Sequence, residues 1–345
     1  MASTTQDAGS AGLDVFVRRL PKVELHCHLP GAIPVEAYLD ISRANGIPVR
    51  SAVGGDPYAF TGFEDFLELY GTICSVLRTR ADFERAIYAA LERQSKTGNV
   101  RYTELFFSPS DHPTVPYATQ VDGLVDGIRA AERDLGVVAR LIPSINRTLP
   151  AAAAVEMVEQ VVAHRRDEVL GIGMDNNEAL GPPAKFVEAF QLAGRNGLKR
   201  TAHAGERGSA EEVAVTIDAL GVDRIDHGYG IMRDAELVKR AVDRGLPFTG
   251  CWTVSLIQMG RPVLGHMIEA GLRVSINSDD PAVIPTDLSK EYREAAAAEG
   301  LDRQTVIQCV MNAAEATWLD DSDRRALRGR LESEIHALQA ELADE

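Results

Sequence analysis

Two histidines one residue apart, His26 and His28, open the series of side chains whose types and spacing suggest chemistry. Further histidines and carboxylates follow at long intervals: His203, Glu206, His227 and the pair Asp279–Asp280. Alternate residues of a β-strand point to the same side, so both imidazoles of the H-x-H motif can face one site. Adding His203 and one carboxylate of the Asp pair gives a ligand set that suits zinc and leaves a position for water. A divalent cation held there lowers the pKa of water towards about 7.

The alternative is that these histidines and acids only pack or lie at the surface. A buried packing role is disfavoured because barrel interiors favour Val, Ile and Leu, whereas clustered imidazoles and carboxylates are costly to bury without a partner. A metal site is therefore the better interpretation. Glu206, three residues after His203, is placed to shuttle a proton beside such a metal. Its alternative role is that of an acid near a helix N-terminus.

These four of the chain's eight histidines fall inside candidate strands or at their ends, and the strands alternate with segments of helical spacing. Eight strands are predicted: Val23–Leu29, Val100–Ser108, Val137–Ile145, Val169–Asp175, Leu198–Ala204, Arg224–Gly228, Pro247–Val254 and Leu272–Asn277. This alternation predicts an α/β fold, a (β/α)8 TIM barrel. Such barrels carry their active sites at the C-terminal ends of the strands, where residues distant in sequence converge.

Two regions depart from the simple alternation. Residues 32–82 form a helical insertion after strand 1, with strong helical spacing in Glu64–Leu77, and are expected to lie over the barrel mouth. The sequence leaves open whether residues 50–80 move as a lid. The C-terminal stretch from Glu291 is expected to add helices outside the barrel. Residues 1–12 are predicted to be a disordered tail, and residues 13–345 a single domain.

The composition limits the classes of partner. The chain has 345 residues and a formal net charge of −15, which disfavours binding to nucleic acid polymers or anionic membranes. No apolar run approaches the roughly 18 residues of a membrane-spanning helix. The first residues lack the features of a signal peptide, so a cytoplasmic protein is expected. Four widely spaced cysteines argue against a disulfide framework. The sequence does not define an oligomeric state.

The motifs around these residues resemble those of the adenosine/adenine deaminase family of zinc amidohydrolases. The resemblance rests on four segments in the same order, within about residues 20 to 320: Pro21–Leu29, Thr201–Glu206, Arg224–Gly228 and Ser275–Pro281. It implies one Zn²⁺ per chain, held by His26, His28, His203 and Asp279. The implied activity is hydrolytic deamination of a 6-aminopurine to the 6-oxopurine and ammonia.

The resemblance also implies roles for the remaining residues. Glu206 would protonate the purine at N1, His227 would contact and orient the attacking hydroxide, and Asp280 would hydrogen-bond N7. Protonation at N1 makes C6 electrophilic, and the metal supplies the nucleophile, so the chemistry is coherent. The expected substrate contacts are Asp280, Glu178, Asp175 and Gly205.

Several positions depart from the family pattern. Pro30 stands where adenosine deaminases usually have the Asp that contacts the ribose 5′-hydroxyl, and proline has no side-chain acceptor. The segment around Glu178 is more similar to adenine deaminases, which would place this carboxylate near the N3/N9 edge of the purine. Trp252 either reshapes the pocket wall or packs in the core. Phe106 replaces a common arginine of the second strand.

These departures leave several substrates open within one chemistry: adenosine, free adenine, an N6-substituted adenine and aminodeoxyfutalosine. Two alternatives lie outside it. One is an amidohydrolase of the same scaffold that cuts an amide, lactone or phosphoester, since a fold does not determine a substrate. The other is a purine-binding protein without catalytic activity, which the complete ligand set and Glu206 disfavour.

Overall fold

A computed structural model describes residues 12–50 and 55–343 of the chain and has the predicted barrel architecture. Eight parallel strands are hydrogen-bonded in sequence order: β1 Lys22–His28, β2 Val100–Phe107, β3 Val138–Asn146, β4 Gly171–Asp175, β5 Lys199–Ala204, β6 Arg224–His227, β7 Pro247–Cys251 and β8 Arg273–Asn277. The predicted α/β class and (β/α)8 TIM barrel are confirmed. The predicted tail lies outside the described residues except for Gly12, which belongs to helix α1 (residues 12–19).

The helices lie outside the strands and cover them. They are α2 Leu29–Ala32, α3 Val35–Asn45, α4 Phe63–Ser75, α5 Arg80–Gly98, α6 Tyr117–Leu135, α7 Ala151–Ala163, α8 Val187–Arg195, α9 Ala210–Val215, α10 Ala235–Asp243, α11 Trp252–Met259, α12 Leu264–Glu269, α13 Leu288–Glu299, α14 Arg303–Ala316 and α15 Asp321–Glu341. Helix α9 continues as a π-helical turn over Thr216–Leu220. Helices α2 to α4 are the predicted insertion after strand 1, and α13 to α15 are the predicted C-terminal additions. No helix of the described chain is both long and apolar enough to cross a membrane.

One predicted element is wrong at its end. The seventh strand was expected to run to Val254, but β7 stops at Cys251 and α11 begins at Trp252. The β-branched residues Thr253 and Val254 favour a strand locally. They are helical here, and the Thr253 N–H and hydroxyl both donate to the buried Glu291 carboxylate in the first turn of α11.

The barrel closes between its first and last strands through the backbone of the predicted site. Cys27 and Asp279 form a parallel bridge. The His28 N–H donates to the Asp279 carbonyl at 2.8 Å, and the Asp279 N–H donates to the His26 carbonyl at 3.0 Å. Barrel closure therefore holds the H-x-H motif and Asp279 in a fixed register.

The other end of the barrel is filled by a buried ion pair. Arg224 on β6 and Glu104 on β2 are both fully buried, and the guanidinium Nη1 lies 2.7 Å from the carboxylate Oε2. The guanidinium carbon of Arg224 lies 4.2 Å from the centroid of the Trp318 ring, and the backbone N–H of Trp318 donates to Glu104. The Tyr102 hydroxyl donates to the same carboxylate. This polar layer supports the barrel below the predicted site.

We predict that Arg224→Met destabilises the fold strongly, because it leaves the Glu104 carboxylate buried without its cation. The free energy of unfolding, measured by denaturant titration, should fall by about 3–5 kcal/mol. The control is Lys239→Met, which breaks an exposed pair with Asp243 and should cost less than about 1 kcal/mol. Equal losses in the two variants would show that the buried pair has no special structural role.

Candidate metal centre and active site

Four imidazoles and one carboxylate meet at the C-terminal ends of β1, β5, β6 and β8. The His203 Nε2 lies 3.2 Å from the His26 Nε2 and 3.1 Å from the His28 Nε2. The Asp279 Oδ1 lies 3.4 Å from the His26 Nε2 and 3.3 Å from the His28 Nε2. The His227 Nε2 lies 3.8 Å from the Asp279 Oδ2. The structure thus brings together all the residues that the sequence proposed as metal ligands.

The spacing of these atoms fits a single zinc ion. Ligand atoms about 2.0–2.1 Å from zinc in tetrahedral geometry stand about 3.3–3.4 Å from one another. The four Nε2 and Oδ1 separations given above match that value closely. One ligand atom each from His26, His203, His227 and Asp279 also lies within 4.8 Å of the others, so His227 borders the same centre.

In His26 and His227 the second ring nitrogen is hydrogen-bonded to a neighbour, which fixes the tautomer. The His26 Nδ1 lies 3.0 Å from the Thr249 hydroxyl, whose own proton goes to Asp226. The His26 Nδ1 must therefore carry the hydrogen. The same logic applies to His227, because the Tyr229 hydroxyl that faces its Nδ1 donates to the Cys251 carbonyl. Both Nε2 atoms are left with a lone pair directed at the centre.

Carboxylates complete this second layer of contacts. The Asp226 Oδ2 lies 3.5 Å from the His203 Nδ1, and the Asp175 Oδ2 lies 3.5 Å from the His28 Nδ1. Such partners orient metal-bound imidazoles and make them more basic. Asp175 was expected to contact substrate. It also lines the cavity, so this carboxylate faces both the His28 imidazole and the space that a substrate would occupy.

Phe106 closes the barrel beneath the imidazoles. Its ring stacks on His28 with centroids 5.0 Å apart and meets the edges of His26 and His203 at 5.3 and 5.7 Å. A Cβ on Gly173 would come within 2.7 Å of this ring, so glycine on β4 makes room for it. The aromatic ring and the neighbouring glycine therefore form an apolar floor for the site.

A cavity opens onto the centre. Carboxylates surround the histidine cluster in its lining, and aromatic side chains form one wall. The lining residues are His28, Phe63, Phe66, Leu67, Tyr70, Asp111, Asp175, Asn176, His203, Glu206, His227, Asp279 and Asp280. Helix α4 supplies Phe63, Phe66, Leu67 and Tyr70, at the i, i+3, i+4, i+7 spacing of one helix face. The insertion after strand 1 thus covers the mouth, as expected.

Three residues around the cavity have a left-handed backbone. Asn176, His227 and Asp279 have φ values of 77°, 62° and 65°. Residues other than glycine seldom adopt this conformation, and it persists where the surrounding structure enforces it, often at functional sites. Asn176 directly follows β4, His227 ends β6 and Asp279 lies two residues after β8, and all three line the cavity.

Glu206 reaches the cavity from the turn after β5. Gly205 precedes it with a φ of 65°, and a Cβ there would come within 2.6 Å of the Ser209 carbonyl. Burial, together with the charges of Glu178 and Asp279, raises the pKa of Glu206 to about 7. Glu206 can therefore hold a proton near neutral pH, as a general acid must.

Glu178 and Gly205, both expected to contact substrate, are not among the described residues that line the cavity. The Glu178 carboxylate is buried and accepts a hydrogen bond from the Glu206 N–H at 3.1 Å. It lies 4.0 Å from the fully buried Arg147 guanidinium, which also faces Glu212. This cation and the Glu206 amide hold Glu178 behind the wall, where it supports the turn.

Packing in the structure explains Trp252 and Pro30, two positions where the sequence departs from the family pattern. Trp252 is 8% exposed and belongs to the hydrophobic core, which supports its packing role. Pro30 is buried in the first turn of α2, where proline is well tolerated. A Cβ on the next residue, Gly31, would lie 1.9 Å from the Asp280 Oδ1, so glycine is required for this carboxylate to reach the cavity.

Asp111, Asn176 and the α4 side chains also line the cavity but were not predicted from the sequence. Asp111 lies in the turn after β2, and its carboxylate accepts a hydrogen bond from the Asn146 side chain. Burial raises its pKa to about 6, with the charge of Asp175 acting in the same direction. The rule that barrel sites lie after strand ends would have found Asp111 and Asn176.

Comparison with known proteins places these residues in context. The family model described as adenosine deaminase matches residues 21–334. An adenine deaminase of Caulobacter vibrioides is 35% identical over 319 residues, covering 90% of this chain and 92% of the relative. A solved amidohydrolase of Burkholderia ambifaria with bound Zn has a TM-score of 0.89 and 33% identity, covering 97% of this chain and 96% of its own. The solved adenine deaminase of Arthrobacter aurescens has a TM-score of 0.85 and 30% identity, with coverages of 91% and 98%.

We predict that Asp226→Asn weakens zinc binding by about 10- to 100-fold, because the His203 Nδ1–H loses its carboxylate partner. The zinc dissociation constant would be measured by competition with a chromophoric chelator. Asp243→Asn, an exposed carboxylate on α10, serves as the control and should bind zinc like the parent. Identical affinity in both variants would contradict a role for Asp226 in orienting a ligand.

Proposed function

The chain belongs to the adenosine deaminase family, and we propose that it is a zinc-dependent hydrolase that removes the 6-amino group of a neutral aminopurine, free adenine. The observation that carries the proposal is that three Nε2 atoms and the Asp279 carboxylate converge beside Glu206 in one cavity. Hydrolytic deamination needs a metal-activated nucleophile at C6 and a proton donor to the ring nitrogen N1. The cavity holds residues suited to both tasks.

The residues that would hold the ion are His26, His28, His203 and Asp279. When bound, zinc supplies the Lewis acidity that makes water nucleophilic near neutral pH. The His227 Nε2 lone pair borders the same centre and would accept a hydrogen bond from the attacking water. Its Nδ1–H is already committed to Tyr229, so the ring keeps this orientation.

Glu206 would act as the general acid. Its proton passes to the ring nitrogen N1, the C6 carbon becomes electrophilic, and water adds there. One proton of the added water restores the Glu206 carboxyl group, and the other passes to the 6-amino group. The C6–N bond then breaks, ammonia leaves, and oxygen remains on the ring, so that aminopurine and water give 6-oxopurine and ammonia. Asp280, whose position depends on the bare Gly31, would contact the purine edge at N7.

The charge of the cavity favours a neutral substrate. Five carboxylates line it, from Asp111, Asp175, Glu206, Asp279 and Asp280, whereas no lysine or arginine is among the described lining residues. A phosphate group brought into this lining would find no lysine or arginine side chain to pair with. This argument disfavours nucleoside monophosphates.

Free adenine is favoured over adenosine by the residues that are missing from the site. Pro30 has no side-chain acceptor for a ribose hydroxyl, and sites built to bind a hydroxyl rely on such partners. The aromatic wall of α4 fits the face of a planar base. Relatives that match this chain over most of their length are named adenine deaminases.

A substrate panel tests this choice. Zinc-loaded protein should release ammonia from adenine with a kcat/KM at least about tenfold above that for adenosine, and AMP should be the poorest of the three. Ammonia would be measured enzymatically and the 6-oxopurine confirmed by mass. A preference for adenosine would refute the free-base proposal while leaving deamination intact, and a preference for AMP would refute the charge argument.

We predict that Glu206→Gln lowers kcat by about 10² to 10⁴-fold while zinc content stays at one ion per chain, because the amide keeps the shape but has no acidic proton. In the parent, the acid must be protonated, so kcat/KM should fall as pH rises above about 7, the pKa of Glu206. The exposed Glu236→Gln serves as the control. Full activity in Glu206→Gln would mean that another group donates the proton.

A further inference from the structure

Helix α11, which follows β7, places the side chain of Gln258 against the proposed general acid. The Gln258 Nε2 donates a hydrogen bond to the Glu206 Oε1 at 3.1 Å, and Gln258 itself is half-buried. This contact joins helix α11 to the turn after β5, and the two residues are 52 positions apart in sequence. Gln258 lies beyond the end of the predicted seventh strand, and no local sequence pattern connects it with Glu206.

The two ends of Glu206 are held in different ways. Its main chain is fixed by Gly205, which allows the turn, and by the N–H bond to the buried Glu178 carboxylate. Its carboxyl group, by contrast, has the Gln258 amide as its one side-chain hydrogen-bond partner within the described chain. The direction of the reactive end of Glu206 therefore depends on Gln258.

We propose that Gln258 is a positioning residue that determines which oxygen of Glu206 carries the catalytic proton. An amide N–H can only donate, so the Oε1 atom that it contacts must accept. The proton of the neutral acid then resides on Oε2, the oxygen free to face the substrate. This inference rests on the role of Glu206 proposed above, and it adds a residue from α11 to the machinery of the site.

The hydrogen bond also affects the acidity of Glu206. A donor to the carboxylate stabilises the charged form and lowers the pKa. It opposes burial and the charges of Glu178 and Asp279, which raise the pKa of Glu206, and acts in the same direction as His203 and Arg207. Removing the donor should therefore raise the pKa, and replacing it with a cation should lower the pKa.

The test compares two substitutions that act in opposite directions. Gln258→Met keeps the length of the side chain but removes the donor, and Gln258→Lys provides a charged donor. For zinc-loaded enzyme with adenine, Gln258→Met should lower kcat about tenfold with KM nearly unchanged, since the acid is less well aimed. The fall of kcat/KM at high pH should move upwards by about half to one pH unit in Gln258→Met and downwards in Gln258→Lys.

A merely structural role would not move the pH profile in opposite directions. Two results would contradict the proposal. In one, both variants have a lower kcat but the fall of kcat/KM at high pH occurs at the same pH as in the parent. In the other, neither variant differs from the parent. The control is Gln191→Met on the exposed face of α8, which should match the parent in rate and profile. Zinc content and circular dichroism would be recorded for each variant, and Gln258→Met alone decides the matter if Gln258→Lys does not fold.

The parent enzyme separates this inference from the proposed function. A parent that deaminates no 6-aminopurine would refute the function itself. A different result would refute only the role of Gln258: the parent deaminates adenine and its kcat/KM falls above about pH 7, and in both variants kcat/KM falls at that same pH.

Discussion

The constraint on which this structure depends is the convergence of imidazole lone pairs. The His203 Nε2 lies 3.2 Å from the His26 Nε2 and 3.1 Å from the His28 Nε2, and the Asp279 Oδ1 lies 3.3 Å from the His28 Nε2. Lone pairs held at that distance repel one another unless a cation lies between them. The partners on the Nδ1 side prevent the rings from turning to relieve the repulsion. The arrangement is thus a site built for one ion, and the (β/α)8 scaffold provides the stiffness that holds it.

That stiffness is distributed over the barrel. Closure of β1 against β8 uses the same backbone that carries the H-x-H motif and Asp279, so opening the barrel would disperse the ligands. Below them, Phe106 provides an apolar floor, and the ion pair of Arg224 with Glu104 fills the far end. Above them, α4 presents an aromatic wall. The site lies between a rigid base and a cover supplied by an insertion.

The sequence predicted the fold and the metal cluster because both follow from simple periodicities. Alternation along β1 places His26 and His28 on one face, and the strand-end rule brings His203 and Asp279 to them. Side chains positioned by long-range contacts were not predictable in this way. Glu178 follows a strand, yet the buried Arg147 draws it behind the wall. Gln258 lies on α11, beyond the end of the predicted seventh strand, and its hydrogen bond to Glu206 joins residues 52 positions apart, which no local periodicity predicts.

The most direct test of the metal centre is anomalous diffraction from crystals of the zinc-loaded protein, recorded on both sides of the zinc absorption edge. The account predicts one strong peak per chain, within about 2.3 Å of the Nε2 atoms of His26, His28 and His203 and of a carboxylate oxygen of Asp279. A peak elsewhere, or none in protein shown by elemental analysis to contain zinc, would contradict it.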